Sequence, residues 1–153
     1  MNYREEICHM TQGAVEDLLR YARAVSDERL TWRPSEHARS VLEILQECVA
    51  VPLVMTYVLH ERPQQPADIN PFFAEASQLK TVGECEAALR ANTAKLIEAI
   101  HATPDSDLEQ TVMLPWGTPA PIKRVVSGHY WNLTYHLGQI AYIQLLYGDT
   151  RFY

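Results

Sequence analysis

Near the end of the chain, residues 128–149 read GHYWNLTYHLGQIAYIQLLYGD, with polar groups where a helix should bury apolar ones. At about 100° per residue, His129, Asn132, His136 and Gln139 fall within roughly 80° of one another, in line with Ile143 and Leu146. Asn132 and His136 are spaced i, i+4, so both side chains reach one point. A helix presents two ligands to a single metal ion by this spacing. His129 lies one turn earlier, in an i, i+3 relation to Asn132, and is a candidate further ligand. The set needs a partner from another helix. The stretch VLEILQECVAVPLVMTYVLHER supplies one carboxylate, Glu47, on an apolar line formed by Ile44, Val51, Val54 or Met55, and Val58. A carboxylate on such a line must be hydrogen-bonded, ion-paired or metal-bound, because burying it bare is costly.

The candidate metal site is therefore Glu47, Asn132, His136 and His129, around a divalent ion such as zinc, nickel or manganese. Plainer roles stand beside it. A lone histidine on a helix is more often a satisfied polar core residue than a ligand, and His136 with Glu47 can be an ion pair that fixes helix register. His9, His37, His60 and His101 lie at helix ends, in a loop or off the inward face, and are expected at the surface. Cys48 is expected to be a small core residue, since thiols in apolar surroundings are inert. Tyr135, Tyr142 and Tyr147 are packing or dimer-contact residues, and Trp116 either anchors its loop or walls a pocket. Gly128 and Gly138 each cost a helix about 1 kcal/mol relative to Ala, so close packing or room for a ligand is expected there. There is no Gly-rich phosphate loop, G-x-S-x-G elbow or H-E-x-x-H, and no catalytic residue is assigned.

Four helical stretches position these residues. The first runs from about Arg4 to Val25, with Ile7, Ala14, Leu18 and Ala22 on one face. The second opens on a Ser40–Glu43 capping box and runs to about Arg62, with Pro52 expected to bend it. A Thr81–Glu84 box opens the third, to about Ala102. The fourth starts near Pro121, a good first-turn residue, and stops before Gly148. Helices of about 20 residues suit a bundle of roughly 30 Å. The joints, 26–39, 63–80 and 103–120, are long enough for crossovers or a site rim, and LPWGTPAP in the last suits a short hairpin or lid.

The chain has 153 residues, 47% hydrophobic and 21% charged, which suits one domain, 1–153, with a single core. The formal net charge is −6 and no Lys/Arg run appears, which argues against nucleic acid and anionic membrane surfaces as partners. No apolar run of bilayer-spanning length and no signal peptide is recognised. Three cysteines without CxxC spacing suit reduced thiols in a cytoplasmic protein.

The pattern N-x-x-Y-H-x-G-Q-I-x-Y-I-Q, Asn132 to Gln144, together with Trp32-Arg33-Pro34, Ser40 and the L-E-I-L-Q run ending at Glu47, resembles the DinB-like (damage-inducible) superfamily. The resemblance covers nearly the whole chain. It implies an all-α four-helix bundle of up-down-down-up type, often a homodimer, with a metal held by three histidines. One of these comes from the second helix and two from an H-x-x-x-H pair on the fourth. His136 matches the last of the three, Asn132 stands where the first of the pair is expected, and Glu47 stands about where the helix-two histidine is expected. Characterised relatives include bacillithiol- and mycothiol-dependent transferases and isomerases. The resemblance thus implies a metal-dependent enzyme or enzyme relative acting on a small molecule, such as a thiol-dependent transferase or a hydrolase. The alternative is a non-catalytic dimeric bundle in which Glu47 and His136 have become a hydrogen-bonded pair, serving as a binding or stress-response module.

Overall fold

The computed structural model describes residues 2–153. Four long helices dominate: α1 (Tyr3–Arg23), α3 (Val41–Glu61), α5 (Val82–Ala102) and α6 (Ile122–Leu146). Two short helices, α2 (Asp27–Leu30) and α4 (Asn70–Ala76), lie in the joints. A hairpin of β1 (Thr111–Met113) and β2 (Pro119–Pro121) precedes α6.

Local chemistry sets the helix starts. Asn2 with Glu5, Ser40 with Glu43, and Thr81 with Glu84 each form a reciprocal cap. In each, the cap side chain accepts a backbone N–H one turn on, and the glutamate returns to the cap's own N–H. The Asn2 cap moves α1 to Tyr3–Arg23 from the expected Arg4–Val25. α6 begins at Ile122, with Pro121 as its N-cap rather than inside its first turn. Helix α3 runs unbroken through Pro52.

Cross-helix contacts give the chain direction. Tyr3 Oη donates to the Lys123 carbonyl and Gln144 Nε2 to the Tyr21 carbonyl, so α1 and α6 run parallel. Arg4 reaches the Thr103 carbonyl while Arg23 pairs with Glu86, so α5 is antiparallel to α1. Glu47 meets His136 and Met55 meets Gly128, so α3 is antiparallel to α6. The order is up-down-down-up. Because α3 and α5 point the same way, the chain between them must travel back about 30 Å, the length of a 21-residue helix. Residues 62–81 make that return, with α4 packed on α3 along the way.

The buried apolar side chains form two clusters. One gathers Leu18, Leu19, Ile44, Leu45, Leu133 and Ile140; the other gathers Val54, Met55, Val58, Leu96, Ile100 and Val126. The polar stripe of α6 lies around their boundary. Its far end departs from the expected line: Ile143 is buried, but Leu146 is exposed and Gln144 is buried instead. Gly128 explains itself, since a Cβ there would stand 3.0 Å from Met55 Sδ. Packing within the chain does not account for Gly138, where a Cβ would meet nothing within 4 Å.

One expectation about membranes is corrected. Helix α3 is long enough, and at a mean hydropathy of 1.6 apolar enough, to cross a bilayer by composition. Its apolar residues are instead spent on the bundle core, where Val41, Ile44, Cys48, Val54 and Val58 are all buried.

Candidate functional site

Glu47 leaves α3 toward α6, and its two oxygens have separate partners. Oε1 accepts from His136 Nε2 at 2.8 Å and from Asn132 Nδ2 at 3.1 Å. Oε2 is ion-paired with Arg39, one residue ahead of the α3 cap. The i, i+4 spacing of Asn132 and His136 does bring both side chains to one oxygen. Hydrogen bonding from His136, supported by the Arg39 guanidinium, holds the half-buried Glu47 carboxyl down at about 2, well below the usual carboxylate range.

Behind this contact, His136 Nδ1 faces Gln139 Oε1 at 2.7 Å, and the Tyr135 ring lies edge-on at 5.2 Å between centroids. The Gln139 amide can turn either its oxygen or its NH2 to the ring, so it serves both tautomers. Asn132 is 6% exposed, and with Nδ2 committed to Glu47 its buried Oδ1 has no partner.

His129 stands apart from this group. It is fully buried, and its Nε2 lies 2.9 Å from Thr93 Oγ1 on α5. Burial alone pushes its pKa down to about 3, so it is a neutral core histidine. His9, His37, His60 and His101 are exposed, as expected. Cys8, Cys48 and Cys85 are buried free thiols, and burial raises the pKa of each. Among the described residues no three His, Cys, Asp or Glu side chains converge; the third member of the Glu47–His136 group is an amide.

A pocket of about 570 Å³ opens beside Asn132 and Glu47. Its inner wall is apolar, with Val51, Val54, Met55, Val125 and the bare backbone of Gly128. Trp131 of α6 and Trp116 from the tip of the hairpin line its mouth, at 64% and 58% exposed. Gly117, at φ +86°, turns the chain at that tip, and Met113 N–H donates to the Pro63 carbonyl at 2.7 Å, which ties the hairpin to the end of α3. Trp116 is thus a pocket wall.

Sequence reasoning missed three functional residues. Arg39 precedes the capped helix and carries no periodic signal. Arg124 lines the pocket, and its only sequence signal is its position about two turns before Asn132, at i−8. Trp131 reads as surface, and it is exposed, yet it borders the pocket.

The sequence model of the DinB superfamily matches residues 10–140. The chain belongs to the DinB superfamily. Among solved structures, the Bacillus subtilis protein YfiT, described as a probable metal-dependent hydrolase with an unusual four-helix bundle topology, superposes with a TM-score of 0.75 at 12% identity, covering 95% of this chain and 87% of that one. A DinB-like protein from Bacillus cereus gives 0.71 at 14% identity over 97% of each chain. A mycothiol-dependent maleylpyruvate isomerase gives 0.70 at 12% identity, covering 92% of this chain. This DinB-superfamily chain spans 63% of that isomerase's length. At such identities the likeness shows the fold alone. No curated protein matches the sequence.

His129 gives a pH dependence to stability. The unfolded chain takes up a proton on this residue below its ordinary value of 6.5, whereas the folded chain does so only near 3. Protons therefore favour the unfolded state, and stability falls as pH drops through that window by up to about 1.4 kcal/mol per unit. Urea unfolding is expected to show about 2 kcal/mol lost from this residue between pH 7 and 5, a loss missing in His129→Gln. Equal slopes for the two proteins would show that His129 is not the neutral core group.

Proposed function

We propose that this chain is a small-molecule enzyme or enzyme relative, with Glu47, Asn132 and His136 holding a divalent ion at the inner end of the α3–α6 pocket. The observation that carries this reading is the convergence of three donors from two helices beside that pocket. Two donors bound to one ion at about 2.0–2.2 Å stand roughly 2.8–3.6 Å apart, the range in which Glu47 Oε1 sits from His136 Nε2, at 2.8 Å. The unpartnered Asn132 Oδ1 supplies a further oxygen once the amide turns. His129 belongs outside the set.

Two oxygens and one imidazole are harder than three imidazoles, so zinc or nickel is held less tightly than by three histidines, and manganese competes better. When bound, such an ion lowers the pKa of a water or thiol placed against it and so provides a nucleophile near neutral pH. Water is the co-reactant suggested by the hydrolase neighbour, and a low-molecular-weight thiol the one suggested by the mycothiol-dependent neighbour. Glu47 supplies the negative charge that attracts the cation, while Arg39 competes for the same carboxylate. To ligate, His136 would present a bare Nε2 with its proton on Nδ1, where Gln139 Oε1 accepts it at 2.7 Å. The apolar wall and the two tryptophans hold the organic part of the substrate and exclude water from it.

A second reading is favoured by one observation, that both Glu47 oxygens already have partners. On this reading the group is a structural pin and the bundle is non-catalytic. Titration calorimetry with zinc and manganese separates the two. Binding at one site per chain is expected. It is lost in Glu47→Gln and tightened roughly tenfold in Arg39→Gln, which removes the competing cation. Absence of binding in both wild type and Arg39→Gln would leave the structural pin as the correct reading.

Tyr135, Tyr142, Leu145 and Leu146 form an exposed apolar strip on α6 around Gly138, where nothing fills the space above the backbone. We propose that a second copy packs there, helix against helix. Sedimentation equilibrium is expected to give twice the 17.5 kDa chain mass for the wild type and the single mass for Tyr142→Glu. A monomeric wild type would refute this contact.

A further inference from the structure

We infer that the α3–α6 pocket takes a flat apolar carboxylic acid, its carboxylate on Arg124. This rests on the pocket being the binding site proposed above, but not on a bound ion.

Arg124 is the first observation. Every other arginine among the described residues has an ionic or aromatic partner. Arg4, Arg20, Arg23, Arg33 and Arg39 are ion-paired. So are Arg62, Arg90 and Arg151, while Arg29 lies 5.1 Å from the Tyr147 ring centroid. Arg124 has neither kind of partner, and it lines the pocket. In a chain of net charge −6, with acids available to pair its arginines, an unpaired guanidinium at a pocket marks where an anion fits. Its planar fork suits a carboxylate held through two parallel hydrogen bonds.

The apolar lining between Arg124 and Asn132 is the second observation, independent of the first. Arg124 and Asn132 are eight residues apart on α6, about 12 Å along the axis. Between them lie Val125, Gly128 and Met55, with Trp116 and Trp131 at the mouth. The span is apolar, and Trp116 offers an indole face against which a flat ring can stack, while Trp131 is stacked on Tyr135 at 5.3 Å between centroids. The pocket volume, about 570 Å³, is in the range of sites for molecules of this size.

The test uses chelator-treated protein and calorimetric titration of 2-naphthoate, its methyl ester and 2-naphthol. The acid is expected to bind at least tenfold more tightly than its methyl ester or 2-naphthol. Arg124→Gln, a change at an exposed side chain, is expected to bring the acid down to the level of the ester and leave the ester unchanged. Equal affinity for acid and ester in the wild type overturns the proposal without reliance on any variant, as does no binding of any of the three. The two failures are separate. No zinc binding in wild type or Arg39→Gln, with the acid preference intact, would remove the ion and leave this recognition standing. An intact zinc site with no acid preference would do the reverse.

Discussion

One carboxylate, on Glu47, organises the seam between α3 and α6. Its negative charge sits half-buried among apolar neighbours, a position tolerable only because a guanidinium, an imidazole N–H and an amide N–H all reach it. Two of those donors come from the facing helix, so the contact fixes the register of α6 against α3 as well as their spacing. The apolar core is divided near this level, and Gly128 lets Met55 lie across α6 two turns away. Where a carboxylate must be served by specific donors, the helices have one acceptable alignment.

That alignment also creates the pocket. With α3 antiparallel to α6, Glu47 and Asn132 share one end of a groove, and Met55 and Gly128 lie further along it. The crossover required by the parallel α3 and α5 places α4 along α3, where Phe73 joins the pocket wall. The hairpin before α6 brings Trp116 over the same opening. The long joints are thus consequences of up-down-down-up order, and they build the rim of the site.

Much of this was legible in the sequence because the signals are local. Ser40–Glu43 and Thr81–Glu84 announce helix starts by chemistry within one turn, and both fall where expected. The i, i+4 pair Asn132 and His136 with Glu47 followed from helical geometry and the cost of a lone carboxylate. The hairpin was readable in LPWGTPAP, and of the two roles open to Trp116 the structure gives the pocket wall. What escaped depends on tertiary approach. Periodicity put His129 on the same stripe as His136, but the two are seven residues apart, about 10 Å along the axis, and Thr93 of α5 takes His129 instead. Arg39 lies outside any helix, and only the fold reveals that it reaches Glu47. Arg124 and Trp131 look like ordinary surface residues until the groove between helices is known.

The central claim is that Glu47 holds the Nε2 proton of His136, and the side-chain 15N and 1H resonances of that imidazole report on it directly. With 15N-labelled protein at neutral pH and no metal, Nε2 is expected to carry a proton in slow exchange, with a resonance that moves strongly in Glu47→Gln. An Nδ1-protonated ring whose Nε2 is bare and indifferent to Glu47→Gln would contradict the account.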